Sequence, residues 1–358
     1  MTATSAAHFP STPDEFDTAW IEGIFDAPPG SLRSLSHAPV GTGQICDSFR
    51  FKCDWSGEAA TQALPRTFIA KCPSTDASSR AAAALFHLYD MEVGWYRDCA
   101  AASGVNCPKH YYAAITDDEQ LFALLLSDMA PASQGDQLAG ASITQVRSAL
   151  HEAASLHAYQ PPNARLEDFK WLQHGEQNAA TLNTALAANY PVFRERFKTR
   201  LSKDILDLGE RLLARIRDYT GYQTKTRCIA HGDLRLDNIL YDRNGAGACL
   251  VDWQTVHQGS AAADVAYLIG TSFADPNARA REEIGLINGY LAHRAKLGVP
   301  ADFDDFWTEY RLYAFSGFLM AISASLTVQQ TERGDEMFAL MAERPALMAL
   351  ELDSQALL

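Results

Sequence analysis

Long apolar runs are missing from this chain. Stretches such as Leu121–Leu126 fall far short of the roughly 20 residues that a helix needs to cross a bilayer. Positive charge is scarce. Thirty Lys and Arg residues face 44 Asp and Glu residues, for a formal net charge of −14 at pH 7. Such a surface repels phosphate backbones and anionic headgroups, so neither nucleic acid nor a membrane surface is an expected partner. It mildly favours a cationic small molecule. Cysteine is sparse and scattered: Cys46, Cys53, Cys72, Cys99, Cys107, Cys228 and Cys249 form no C-x-x-C pair. An odd count without paired spacing argues against a disulfide framework and against a zinc site. No signal-peptide pattern opens the chain, which with the thiols points to a reducing, cytoplasmic setting. There is no internal repeat and no low-complexity tract. The glycines of Gly41-Thr42-Gly43-Gln44 are not followed by G-K-[ST], so they do not form a Walker A loop.

The 358 residues, 47% of them hydrophobic, suffice for one large domain or two lobes. Residues 1–15 read as a loose start and 16–26 as a short helix. From about 35 to 72 the text is strand-like: a Gly-rich turn leads into an alternating run, and Phe68-Ile69-Ala70-Lys71 is a short apolar run closed by Pro73. Residues 77–102 are rich in helix formers with helical apolar spacing. Strand patterns return around His110–Thr116 and Gln120–Asp128. A Gly/Ser/Pro-rich connector, 131–142, then gives way to helical text, which predicts one helix over Ile143–Tyr159 and another over Ile205–Tyr219. A strand-loop-strand segment, 228–256, interrupts the helices, and 262–350 is helical again. The expected domains are a sheet-rich lobe over 1–128 and a helix-rich lobe over 129–358.

That inserted segment holds the densest chemistry. In IAHGDLRLDNILYD an apolar start leads into a polar His231-Gly232-Asp233 turn, Asn238 follows, and Ile239-Leu240-Tyr241 resumes the apolar text. A second short strand, Cys249-Leu250-Val251, delivers Asp252. An antiparallel pair bridged by Asn244-Gly245-Ala246-Gly247 would gather Asp233, Asn238 and Asp252 in one cleft. Two carboxylates and an amide oxygen are hard ligands suited to Mg²⁺ rather than zinc. Phosphoryl transfer needs such parts: a carboxylate for the attacking hydroxyl, and oxygen ligands for the metal that neutralises the phosphates. A bare turn with an Asx cap, or a metallophosphatase site built on His231 and Asp233, competes for the same residues. His231 alone reads as a hydrogen-bonded structural histidine.

The pattern resembles the H-G-D-x-x-x-x-N motif of aminoglycoside phosphotransferases and choline kinases, and Asp-Trp-Gln stands where protein kinases have Asp-Phe-Gly. The strings PVGTGQICDSFRF, FIAKCP, LLLSDMAP, VDWQTVHQG and ADVAYLIG extend the resemblance over about residues 35–345, and look most similar to the ecdysteroid-kinase-like branch. The resemblance implies an α+β, protein-kinase-like two-lobed fold, with a small antiparallel-sheet N-lobe and a larger, mainly helical C-lobe. It implies ATP and Mg²⁺ as cofactors and a small-molecule hydroxyl as acceptor. Asp233 would be the catalytic aspartate, Asn238 and Asp252 metal ligands, and His231 and Asp264 structural supports. Asp264 also reads as a helix N-cap. Lys71, held by Glu92, would meet the α/β-phosphates. Gly41, Gly43 and Ser48 would cover the nucleotide, and the backbone at Ser127 and Met129 would pair with the adenine. Position 127 departs from the family's usual Glu.

Three acceptor classes remain open: a lipid- or steroid-like alcohol, a hydroxyacyl compound, and an aminoglycoside or amino alcohol. A non-catalytic nucleotide-binding pseudokinase is the alternative of another class. Trp307, Tyr310, Arg311, Tyr313, Phe315 and Phe318 read either as pocket lining or as a core stripe. Oligomeric state is not legible.

Overall fold

The computed structural model describes residues 9–41, 45–57, 59, 63–327 and 330–358. The chain divides into two compact units, one of residues 1–101 and 108–130, the other of 102–107 and 131–358. Gly43 lies outside the described residues.

The first unit is an antiparallel sheet with helices. In chain order it contains α1 (Thr18–Ile24), β1 (Leu32–Pro39), β2 (Cys46–Trp55), β3 (Thr67–Pro73), α2 (Ala77–Leu85), α3 (Leu88–Asp98), β4 (His110–Ile115) and β5 (Phe122–Ser127). The sheet order is β1-β2-β3-β5-β4. Strand alternation sorts its side chains between two faces. Phe68, Ala70 and Cys72 of β3 and Ala123 and Leu125 of β5 enter a core with Phe16, Ile21, Phe51 and Trp55. Phe51 and Phe68 stack with ring centroids 4.9 Å apart. The residues between them, Lys71 included, take the opposite face. There Tyr89 of α3 meets Phe122 of β5 at 4.5 Å.

The helix expected over 77–102 is two helices. His87 adopts a left-handed conformation, φ +56°, and breaks the run between α2 and α3. Histidine visits that region more readily than most residues. Its Nδ1 also lies 2.7 Å from Glu119 Oε2, in the β4–β5 turn, which fixes the break.

The second unit contains β6 (Ser133–Gln134), α4 (Ile143–Ala158), α5 (Gly175–Phe197), α6 (Lys203–Ala214), α7 (Ile216–Thr220), β7 (Arg227–Ala230), β8 (Ile239–Tyr241), β9 (Ala248–Leu250), β10 (His257–Ser260), α8 (Ala261–Ser272), α9 (Pro276–Lys296), α10 (Phe303–Leu312), α11 (Ser316–Thr327) and α12 (Glu332–Glu351). The expected helix over 205–219 is interrupted at Arg215, which caps α6 and pairs with Asp218 at 2.5 Å. Among the aromatic residues offered as pocket lining, Tyr310, Phe315 and Phe318 are fully buried in the core. Tyr310 spends its hydroxyl on Glu283, and Arg311 spends its guanidinium on the backbone carbonyls of Leu352 and Asp353. The stripe spacing there reflects packing. Among the described residues no helix is long and apolar enough to cross a membrane.

Candidate functional site

In the first unit β3 and α3 bring Lys71 and Glu92 together. Lys71 Nζ donates to Glu92 Oε1 at 2.5 Å, with Glu92 0% and Lys71 8% exposed. A buried ion pair of this kind holds only while both partners are present, since either charge alone would bear its full desolvation cost. Ser48 lies directly across from Lys71 on β2. Gly41 has φ +76°, a conformation that favours glycine. Ser127 makes two bonds to Lys109. Its N–H donates to Lys109 O at 2.8 Å and its Oγ accepts from Lys109 N at 2.9 Å. Asp128, next in the chain, accepts from Arg50 through both carboxylate oxygens, at 2.8 and 3.1 Å. Met129 lies beyond the end of β5, with its sulfur 3.6 Å from Ser127 Oγ.

In the second unit the motif is a loop between β7 and β8, and each of its residue types has a local reason. β7 pairs with β10, setting Ala230 opposite His257. At Gly232 the chain turns with φ +83°, and a Cβ there would lie 2.4 Å from Thr255 O, so only glycine fits. His231 is fully buried. Its Nε2 donates to Val251 O at 3.1 Å, and its ring lies 4.7 Å from that of Trp253. Asn238 ends a short 3₁₀ turn, Leu236–Asn238. Its amide nitrogen donates to Asp233 O at 2.9 Å and to Asp233 Oδ2 at 2.8 Å. Its backbone O accepts from Val251 N at 3.0 Å.

Val251 is therefore clamped on both sides, by Asn238 through its N–H and by His231 through its carbonyl. The next residue is Asp252, at φ +66°. A non-glycine residue held there carries backbone strain of about 1–3 kcal/mol, which persists only when its surroundings over-determine it. β8 and β9 pair antiparallel, with Ile239 opposite Leu250 and Tyr241 opposite Ala248. The hairpin and the clamp bring the segments of Asp233, Asn238 and Asp252 to one place.

Asp264, in the first turn of α8, is 2% exposed and takes both backbone N–H groups of the turn: His231 N at 2.6 Å and Gly232 N at 2.9 Å. The helix cap is Ser260, not Asp264. His157 Nε2 lies 3.0 Å from Asp264 Oδ2, and His157 Nδ1 lies 2.6 Å from Tyr290 OH. Burial lowers the affinity of His157 for a proton, and the carboxylate opposes that in part. Burial alone would raise the Asp264 carboxyl, but the hydrogen bonds from His157 and from the Gly232 N–H hold it below its ordinary range.

Sequence reading missed several members of the site. Tyr267 OH donates to Asp233 Oδ1 at 2.7 Å. Arg235 lies between two carboxylates, with Nε 3.3 Å from Asp233 Oδ2 and an NH group 2.5 Å from Asp237 Oδ2. Gln137, buried in the connector, accepts from Leu236 N at 3.1 Å and donates to Thr271 O at 2.8 Å. Arg344 of α12 donates to the carbonyls of Gln137, Leu138 and Thr271. Arg235 stood inside the quoted motif and its charge was a visible signal. Tyr267 sits one helical turn after Asp264, on the same face. For Gln137 and Arg344 no local signal exists.

A family model described as "Phosphotransferase enzyme family", APH, matches residues 61–299. Among solved structures, a choline kinase from Cryptosporidium parvum Iowa II superposes with TM-score 0.55 at 13% identity, over 96% of this chain and 98% of that one. An ethanolamine kinase from Plasmodium vivax gives TM-score 0.50 at 13% identity, covering 94% and 89%. The aminoglycoside phosphotransferase APH(2″)-IIIa, in complex with GDP and kanamycin, gives 0.50 at 14%, covering 94% and 96%. At these identities the likeness is one of fold. Among curated proteins none matches the sequence.

Proposed function

This chain belongs to the APH phosphotransferase enzyme family, and from that premise we propose that it transfers the γ-phosphoryl group of ATP to a hydroxyl of a small metabolite. The observation that carries the reading is the clamp on Val251, which ties the Asp233–Asn238 turn to Asp252.

The roles follow from the chemistry of each group. Asp233 accepts the proton of the acceptor hydroxyl as its oxygen forms a bond to the γ-phosphorus. The bond from that phosphorus to the β–γ bridging oxygen breaks, and ADP leaves. No covalent enzyme intermediate is needed, because positioning and charge neutralisation supply most of the catalysis. Lys71, held by Glu92, meets the α/β-phosphates. The donor set of the second unit fits Mg²⁺. It offers hard oxygen ligands, and because the amide nitrogen of Asn238 is committed to Asp233, the amide oxygen is the ligand atom. Asn238 and Asp252 would hold the ion, which when bound neutralises phosphate charge. The strained backbone at Asp252 supports a functional reading of that residue. His231 and Asp264 hold the loop.

The guanidinium of Arg235 is shared between Asp233 and Asp237, and the Met337 sulfur lies 3.8 Å from it. The ecdysteroid-kinase-like strings favour a lipid- or steroid-like alcohol or a hydroxyacyl compound. The net charge of −14, and the choline, ethanolamine and aminoglycoside kinases that the chain resembles in fold, favour an amino-alcohol or aminoglycoside acceptor instead.

The test is a panel of hydroxylated metabolites incubated with ATP and Mg²⁺, read by mass spectrometry for the gain of one phosphoryl group. Asp233→Ala should abolish transfer while nucleotide binding stays within a few-fold. Transfer retained in Asp233→Ala would overturn its assignment.

A further inference from the structure

The two oxygens of Asp233 are not equivalent. Oδ2 accepts two hydrogen bonds, from Asn238 Nδ2 at 2.8 Å and from Arg235 Nε at 3.3 Å. Oδ1 accepts one from the described residues, from Tyr267 OH at 2.7 Å. A carboxylate oxygen has two lone-pair directions. Oδ2 is thus filled from within the loop, and Oδ1 keeps one direction for an incoming proton. Tyr267 projects from α8, a different element from the loop, and is 2% exposed. Its hydroxyl is pushed well above its ordinary range by burial and by the charge of Asp233, so it remains a donor.

We propose that Oδ1 of Asp233 is the atom that takes the acceptor's proton, and that Tyr267 is a positioning residue that fixes where the acceptor oxygen must sit to reach it. The inference rests on the kinase reading above and deepens it. With Tyr267 in one lone-pair direction, an acceptor hydroxyl in the other lies ~4–5 Å from the tyrosine oxygen, from ordinary hydrogen-bond lengths and an angle near trigonal. Tyr267 does not touch the reacting oxygen. It holds the carboxylate plane. The terminal torsion of aspartate is broad and roughly two-fold, so a carboxylate without this donor samples several orientations. In the step itself the acceptor O–H gives its proton to Oδ1. Its electron pair forms the new O–P bond, and the pair of the broken P–O bond goes to ADP. Tyr267 keeps its own proton throughout.

Tyr267→Phe keeps the ring and removes the donor. Kinetics are read with the acceptor from the panel, or with water as acceptor, as phosphate released from ATP. The expected result is a kcat lower by roughly 10- to 100-fold, the scale of a misplaced reacting group, with KM for ATP within about two-fold and the melting temperature kept. Added to Asp233→Asn, Tyr267→Phe should cost nothing more, because both act through one carboxylate. A crystal structure of the wild-type chain with acceptor and a non-hydrolysable ATP analogue should show the acceptor oxygen on Oδ1. This holds the inference to account even if Tyr267→Phe unfolds. An unchanged kcat, full additivity with Asp233→Asn, or an acceptor bound to Oδ2 would each overturn it and leave the kinase reading standing. A wild-type chain that transfers phosphoryl neither to any hydroxyl nor to water refutes the kinase reading, and this inference falls with it.

Discussion

Replacing Asp264 should loosen the loop that carries Asp233 more than any change inside the loop itself. The wild-type carboxylate accepts three hydrogen bonds in a site 2% exposed: from His231 N, Gly232 N and His157 Nε2. Asp264→Ala orphans all three donors at once. Each unsatisfied buried donor costs about 1–3 kcal/mol, and the costs do not add fully because the loop relaxes. The net loss should be about 3–5 kcal/mol, a large share of the roughly 5–15 kcal/mol that keeps a domain folded. Asp264→Asn keeps the shape but offers one oxygen, so its NH₂ must face at least one of the donors. Its loss should be smaller, about 1–3 kcal/mol. The assay is hydrogen exchange by mass spectrometry on residues 228–241, with kcat measured in parallel. Protection should fall in the order wild type, Asn, Ala, and kcat should fall with it. Unchanged protection of 228–241 in Asp264→Ala would refute the claim that this side chain holds the turn.

The remaining predictions concern the buried charges. Glu92→Ala removes the carboxylate to which the buried Lys71 Nζ donates and should cost the first unit about 3–5 kcal/mol, read as lost exchange protection over 67–73 and 88–98. The double replacement Lys71→Met with Glu92→Leu should recover most of that protection and none of the ATP turnover, and recovered turnover would show that the pair is only structural. His157, held neutral by burial, gives a pH dependence. Below the ordinary histidine value of about 6.5 the unfolded chain binds a proton that the folded chain does not. Stability should therefore fall as pH drops through that window, by up to about 1.4 kcal/mol per unit, until the folded-state value is reached. Denaturant midpoints from pH 8 to pH 5 should show this slope in the wild type and a flatter one in His157→Gln, and equal slopes would refute it.

What was legible in the sequence was whatever a short string encodes. Alternation marked β2, and short apolar runs marked β3 and β5; the two-residue period of a strand puts Lys71 on the face opposite Ala70 and Cys72. The Asn244–Gly247 turn marked the β8–β9 hairpin. Gly232 was visible as a motif position, and the structure supplies the reason, a Cβ that would strike Thr255 O. Helix composition over 77–102 was visible, but the break at His87 was not, because a left-handed residue there depends on Glu119 in a distant turn. The aromatic stripe after 307 was ambiguous because a pocket wall and a core share one spacing, and only the burial of Tyr310, Phe315 and Phe318 separates them. Strand text does not show that Lys109 O takes the N–H of Ser127.

The candidate site was half legible for a related reason. Asn238 ends a three-residue 3₁₀ turn, and Asp233 and Asp252 lie in loops beside strands of three and four residues that could not hold them in position by themselves. Each is fixed by a polar group brought from elsewhere in the chain. Asp264 reaches back to the turn, His231 and Asn238 close on Val251 from either side, and Gln137, itself held by Arg344, takes Leu236 N. A donor or acceptor used this way needs only the right atom at the right place, so many residue types could serve, and none leaves a periodic trace. The motif residues are different. Glycine at 232 is required by its φ, and the amide at 238 by its need to donate to Asp233 and still present an oxygen. Chemistry of that kind restricts the residue type, and it made those positions readable; His231 and Asp264 were readable because they stand in the same short strings, while Gln137 and Arg344 were not.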